Sequence, residues 1–327
     1  MNCPGCYKET GAGFCPRCRR ELFDGAPVPP TLSFEAPKAG NLAFFEPHLR
    51  RLSLSGVQLK FSLRREQATL LLTEKGGEYI LKPVPPTQLY AAIGEAPENE
   101  HLTMQIARQV FGMPTAANAL IHFADGAPAY LARRFDRRAD GSKYLQEDFA
   151  QISGKSRSTH GEHYKYEGSY EDVGRLIQRY VAAYMPALEA FFRLVVFNYV
   201  ISNGDAHLKN FSLYRLETGE YRLTPAYDLM STVLHTGQES DTALDLYAGD
   251  IDSEFYSRHG YYGAPHFLEL ARRLGMAPQR AKRILSIYPA RQPQVKVLVG
   301  RSFLSAATQQ AYLANFSEKL RRLQRHL

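Results

Sequence analysis

A chain of 327 residues with 44% hydrophobic and 22% charged residues is long enough to bury a substantial core and to divide into two lobes, which excludes a disordered or fibrous chain. Its 40 Lys and Arg against 33 Asp and Glu leave a formal charge of +7, a moderately basic surface suited to nucleic acid, nucleotide phosphates or an acidic partner. No apolar run is long enough for a bilayer span or a secretory leader, so a membrane role is excluded at this level and a cytoplasmic setting is expected.

The chain begins with all four of its cysteines, as Cys3-Pro-Gly-Cys6 and Cys15-Pro-Arg-Cys18. Each C-x-x-C turn presents two thiolates to one ion, and four such ligands suit a structural, tetrahedral zinc; iron in a rubredoxin-like site is the alternative. A zinc-ribbon-like knuckle is therefore expected over residues 1–23, folded by its metal because so short a segment cannot bury a core. Asp24 to Gly40 is rich in Pro and Gly, which predicts a linker over 24–45.

Next, Ser55-Gly56 interrupts two alternating runs in Arg51 to Leu63. This is either a plain hairpin turn or a loop over phosphates, in which Gly56, Val57 and Gln58 offer backbone and Lys60 offers charge. Glu78-Tyr-Ile-Leu-Lys82 follows as a strand with one Lys among apolar residues, costly to half-bury unless paired. Pro97 to Phe111 predicts a helix with Leu102, Ile106 and Val110 as its apolar stripe. Its first-turn acids either complement the helix dipole or pair with Lys82, with Glu100 as first candidate and Glu98 as second. Ala129 to Asp136 predicts a strand running into a hinge, and Ser153 to Gly168 an exposed loop that could gate a site.

Ala187 to Ile201 is almost wholly apolar, as in a helix buried on most sides. It delivers Ile201-Ser-Asn-Gly-Asp-Ala-His-Leu-Lys-Asn-Phe-Ser-Leu213, which sets Asp205 five residues before Asn210. An Asn-Gly-Asp turn explains that spacing in part; kinase catalytic loops share it, with the Asp as base and the Asn on a magnesium ion. A hairpin turning at Thr218-Gly219 would return the chain to Leu223-Thr-Pro-Ala-Tyr-Asp228, where a second acid closes a short apolar run. Patterns at Pro265 to Gly275, from Pro278, and from Ala306 predict scaffold helices.

In this order, S-G-V-Q-L-K, Y-I-L-K-P, E-N-E, R-R-F-D-R, L-Q-E-D-F-A-Q, K-Y-E-G, N-G-D-A-H-L-K-N-F-S-L and L-T-P-A-Y-D-L-M-S-T resemble the HipA-like serine/threonine kinases of bacterial toxin–antitoxin systems. The resemblance runs from Leu52 onward and is nearest to the short HipT branch, whose S-x-S doublet matches Ser53 and Ser55. It implies a two-lobed α/β kinase fold with a nucleotide-binding lobe at 46–135 and a mainly helical catalytic lobe at 136–327. It further implies ATP and Mg2+ as cofactors, with Asp205 as base, His207 beside it in the catalytic motif, Asn210 and Asp228 as metal ligands, and Lys82 on the phosphates. Arg134, Phe135 and Gln146 match segments that contact the nucleotide. Ser53 and Ser55 match the autophosphorylated position, where a phosphate would repel those of ATP. Implied partners are a protein substrate such as an aminoacyl-tRNA synthetase and a helix-turn-helix antitoxin, with DNA reached only through the latter. Less chain precedes the loop than in full-length HipA, so a separate small polypeptide supplying that subdomain is also expected. A small-molecule phosphotransferase on the same fold, and a non-catalytic nucleic-acid-binding module, are the alternatives.

Overall fold

The computed structural model describes residues 1–38, 40–45, 59–86, 91–138 and 140–325. Ser53, Ser55, Gly56, Val57 and Gln58 lie outside the described residues. The knuckle runs into α1 (Pro16–Phe23), entered through a proline whose missing N–H costs nothing there and closed by Asp24 in the left-handed region. After α2 (Leu42–Phe45) come β1 (Phe61–Glu66), β2 (Thr69–Leu72) and β3 (Tyr79–Pro83), then α3 (Ala96–Gln105), β4 (Asn118–His122) and β5 (Pro128–Arg133). The strands form one antiparallel sheet in the order β2-β1-β3-β5-β4.

Alternation along the strands gives the two faces different neighbours. Leu81 and its partner Leu131 face the knuckle, in one cluster with Phe14, Leu22 and Phe23. Lys82 and its partner Tyr130 face the opposite way, toward α3, and the ammonium lies 5.3 Å from the Tyr130 ring centre. The segment expected as a linker is folded onto this sheet: Val28, Leu32 and Phe45 are buried, and Leu32 N–H donates to the His122 carbonyl at 2.7 Å. Covering such side chains contributes about 1.5–3 kcal/mol each, which outweighs the freedom that the Pro and Gly content suggested. The knuckle likewise shares its core with the sheet, with Cys3 and Cys18 in the same cluster.

The second lobe contains β6 (Leu145–Asp148), α4 (Phe149–Ile152), α5 (Arg157–His160), α6 (Tyr170–Tyr180) and α7 (Tyr184–Val200). Then follow β7 (Ser212–Arg215), β8 (Tyr221–Leu223), α8 (Val233–Thr236), α9 (Glu254–His259), α10 (Ala264–Arg273), α11 (Pro278–Ala290), α12 (Gln292–Gly300) and α13 (Ala306–Gln324). The all-round apolar character of α7 has its reason in α6, α11 and α13, all of which pack against it. The β7–β8 hairpin turns where expected, with Gly219 at φ 88°, and β6 completes a sheet in the order β6-β7-β8. Among the described residues no helix is long and apolar enough to cross a membrane.

Candidate active site

The site forms where β3, α3 and the turn after β8 converge. Lys82, 3% exposed, donates to Glu100 Oε1 and to Asp228 Oδ1, each at 2.5 Å. Of the two acids left open by the sequence, Glu100 is the one that meets the lysine. Burial works against ionisation of Asp228, but the charges of Lys60 and Lys82 outweigh it and hold the carboxyl well below the usual carboxylate range. The Lys60 ammonium lies 3.4 Å from its other oxygen. Burial likewise opposes the Lys82 charge, and Asp228 and Glu100 together push its pKa above the ordinary lysine value. Glu100, 1% exposed, is itself raised by burial, with Lys82 opposing. Among the described residues Glu98 meets no lysine; burial raises its carboxyl to about 7.

Local structure holds these groups in place. Asp228 sits at φ 55°, a left-handed conformation costing a non-glycine residue of order 1 kcal/mol or more, of the kind that collects at functional sites. Just before it, the Tyr227 hydroxyl donates to the Lys209 carbonyl at 2.9 Å and contacts Ser212, tying Asp228 to the loop that carries Asn210. On the other flank Asn99 grips the backbone of Ser231 from both sides, donating to its carbonyl at 2.9 Å and accepting from its N–H at 3.1 Å. Asn99 neighbours Glu100, so one turn of α3 fixes both the lysine and the segment after Asp228.

The Asp205 loop is built as a rigid turn at the end of α7. Ser202 takes φ 56°, Asn203 donates to Asn198 at 2.9 Å, and the Asp205 N–H donates to Asn203 Oδ1 at 3.2 Å. The Gly204 N–H donates to Thr232 at 2.8 Å, and a Cβ there would lie 2.6 Å from Glu239 Oε2, so a larger residue would force the Glu239 side chain to shift. Asp205 itself is open, its side chain 52% exposed, and accepts a hydrogen bond from the Tyr166 hydroxyl at 2.5 Å. Tyr166 belongs to the segment expected as an exposed loop; its end folds back onto the cleft, with Lys165 3.9 Å from the same carboxylate. His207 lies 3.7 Å from Asp205, but burial pushes its pKa down to about 4, so the ring is neutral at pH 7 and forms no ion pair. Asn210 Oδ1 is buried and has no hydrogen-bond partner among the described residues, a costly state for an amide oxygen unless something else coordinates it.

The remaining expected nucleotide contacts come from the segment after β5, with Arg134 and Phe135, and from β6, with Gln146. The Phe135 ring is 5.6 Å from that of Tyr227, and Gln146 donates to Ser212 at 3.3 Å, so both adjoin the Asp228 turn. Arg134 is engaged with Asp136 through contacts at 2.8 and 2.5 Å. A separate apolar cavity of about 510 Å³ lies behind the hairpin, lined by Pro114, Ala187, Leu194, Leu223 and Pro225; none of the cleft's charged residues borders it.

Away from the cleft, Cys3, Cys6, Cys15 and Cys18 bring their sulfurs within 4.8 Å of one another as free thiols. The Cys6–Cys15 separation is 3.7 Å, against about 3.8 Å for the edge of a tetrahedron with Zn–S at about 2.3 Å. The Cys15 N–H donates to Cys3 Sγ at 3.2 Å. A Cβ on Gly5 would lie 2.8 Å from Cys18 Sγ, which explains the glycine inside the first turn. The donor set and its spacing fit zinc.

A cleft between a five-stranded sheet and a helical lobe, with a buried lysine between two acids, is the architecture of the two-lobed kinase fold. The family profile described as HipA-like C-terminal domain matches residues 52–294, and the chain belongs to that family. A relative in Sinorhizobium fredii, named "Putative kinase Y4dM", is 34% identical over 245 residues, covering 69% of this chain and 57% of its own. The match thus spans little more than half of that relative. In structure, the chain is similar to HipA of Shewanella oneidensis, solved in a complex with HipB and operator DNA: the TM-score is 0.62 at 22% identity, over 89% of this chain and 71% of that one. The proinflammatory kinase CtkA of Helicobacter pylori shares the fold with a TM-score of 0.52 at 13% identity, over 81% of this chain and 90% of its own.

Two residues that matter here escaped the sequence. Asn99 stood in the E-N-E string, but its partner Ser231 is 132 positions away. Tyr166 stood in K-Y-E-G, and only the fold of that segment brings it to Asp205.

Proposed function

We propose that this chain is an ATP- and magnesium-dependent serine/threonine protein kinase, the toxin of a toxin–antitoxin pair. The observation that carries the reading is Lys82 held between Glu100 and Asp228 beside an open Asp205. The orphaned Asn210 Oδ1 and the Asp228 carboxylate are hard oxygen donors of the kind magnesium takes, and they would hold it. Bound there, the ion would offset charge on the phosphoryl group in transfer. Lys82 and Lys60 bring positive charge to the phosphates, Phe135 and Gln146 border the base, and Gly56, Val57 and Gln58 are the expected backbone donors to the phosphates. Asp205 accepts the proton of the acceptor hydroxyl; neutral His207 supports the loop without competing for it. Residues 46–135 then form the nucleotide lobe and 136–327 the catalytic lobe, with 1–23 a zinc knuckle.

The Tyr166 hydroxyl stands where that acceptor hydroxyl must donate, so the 164–166 segment has to yield before a substrate enters. Removing its hydrogen bond with Tyr166→Phe is expected to raise basal ATP turnover on the order of tenfold. A fall in turnover would instead make Tyr166 a support for the base.

The resemblance to HipA-like toxins favours a protein acceptor such as an aminoacyl-tRNA synthetase, autophosphorylation at Ser53 or Ser55, a helix-turn-helix antitoxin that carries the DNA contact, and a separate small subunit. Incubating the chain with γ-labelled ATP and a cell lysate tests the reading. Label is expected in protein, on serine or threonine, and absent with Asp205→Ala; label confined to small molecules would favour a small-molecule phosphotransferase, and no transfer at all a binding module.

A further inference from the structure

The cysteine knuckle touches both elements that hold the Lys82–Glu100 pair. Tyr7, the residue after Cys6, has φ 61° and is 1% exposed. For an aromatic residue that backbone is strained and persists only where its surroundings over-determine it. Here the cause is on either side: the Tyr7 N–H donates to the Cys3 carbonyl at 2.9 Å within the first thiolate turn, while the ring crosses out of the knuckle. Its hydroxyl meets His101 Nδ1 at 2.9 Å, and the two rings lie 4.8 Å apart. His101 is the residue after Glu100 and is buried in α3.

The grip is continued along the same side of the chain. Gln109 donates to the Cys6 carbonyl at 3.1 Å, and Arg108 pairs with Glu21 of α1 at 2.7 Å. On the strand side, the Tyr79 hydroxyl donates to the Leu22 carbonyl at 2.8 Å, three residues before Lys82. Arg133 of β5 reaches the Glu21 carbonyl at 3.0 Å and Asp24 at 2.7 Å. A module needed only for its own stability has no reason to reach into α3 with a strained, buried tyrosine. The Lys82–Glu100 contact at 2.5 Å depends on the spacing of β3 and α3, and misplacing a functional group by 1 Å costs on the order of 10²-fold.

We propose that the knuckle is a metal-dependent clamp that sets the spacing of α3 and β3, with Tyr7 as the positioning residue that transmits it to Glu100 and Lys82. The proposal rests on reading the cleft as a nucleotide site and the four cysteines as zinc ligands. The thiolates hold the first turn closed around the ion; the turn aims Tyr7; Tyr7 then fixes the roll of α3, and Gln109 holds the turn that follows it. Without the ion the turn loosens, α3 shifts, and Lys82 loses one of its two acids.

The test uses the full chain loaded with zinc, the same chain stripped by a chelator and reloaded with zinc, and Tyr7→Phe, which keeps the ring and removes only the hydroxyl. Zinc content, hydrogen exchange of the amides in 96–105, and kcat and KM for magnesium-ATP are measured on each. Tyr7→Phe is expected to retain one zinc per chain, to exchange about fivefold faster in α3, and to raise KM about fivefold with kcat within twofold, the consequence of one lost hydrogen bond. Stripping is expected to give larger changes in the same direction that zinc reverses. Unchanged exchange in α3 and unchanged KM, in both Tyr7→Phe and the stripped chain, would overturn the clamp, as would failure of the chain to take up zinc. If the wild type turns over no ATP, the kinase reading fails, and the exchange measurement alone decides the clamp.

Discussion

Asp228→Asn is expected to lower ATP turnover on the order of 10³-fold, the scale on which a preorganised electrostatic contact to a transferring group is felt. One carboxylate serves two purposes here. It accepts from Lys82 at 2.5 Å and lies 3.4 Å from Lys60, and it is the charged member of the proposed magnesium pair with Asn210. Asparagine keeps the shape and one acceptor oxygen but removes the charge that both lysines and the ion require. Lys82 retains Glu100, so the buried ammonium is not stranded and the fold is expected to survive. The variant should melt cooperatively within a few degrees of wild type while binding magnesium-ATP weakly. Turnover within tenfold of wild type would remove Asp228 from the metal site.

Asp205→Asn is expected to act differently. Its side chain is half exposed, its one lysine neighbour, Lys165, stands off at 3.9 Å, and it is held by a turn that Asn203 and Gly204 build without using the carboxylate. Stability and nucleotide affinity should therefore stay near wild type. The rate of transfer should fall by about 10²–10⁴-fold, the range typical for removal of a general base. The contrast between the two variants separates binding from chemistry: one loses affinity and rate, the other rate alone.

Much of this site was legible because its chemistry is local. Asp205 and Asn210 share one loop, and strand alternation was enough to put Lys82 on a face that needed a partner. The choice between Glu98 and Glu100 was not legible. It depends on the roll of α3, which is fixed by contacts from Tyr7 and Ser231 at distant positions. The same limit applies to Tyr166: a Ser-, Gly- and Lys-rich stretch looks exposed, and its return to the cleft comes from contacts such as Lys155 with the Glu167 carbonyl at 2.7 Å. The Pro-rich stretch 24–45 misled in the opposite direction. Composition pointed to little regular structure, and only the short α2 at its end forms, whereas the apolar side chains Val28, Leu32 and Phe45 decided that it packs. The family follows from a match over residues 52–294 and the kinase-like fold from similarity over 89% of the chain, a breadth that no single motif carried.

Lys82, Asp205, Asn210 and Asp228 are proposed to form one phosphoryl-transfer site. Single-turnover loss of the γ-phosphate from labelled ATP, measured for wild type and Asp205→Asn side by side with and without magnesium, tests it most directly. Wild type is expected to turn over ATP only with magnesium, and the variant to be about 10²-fold slower or more while still binding the nucleotide. Equal rates for the two proteins, or wild-type turnover that is indifferent to magnesium, would contradict it.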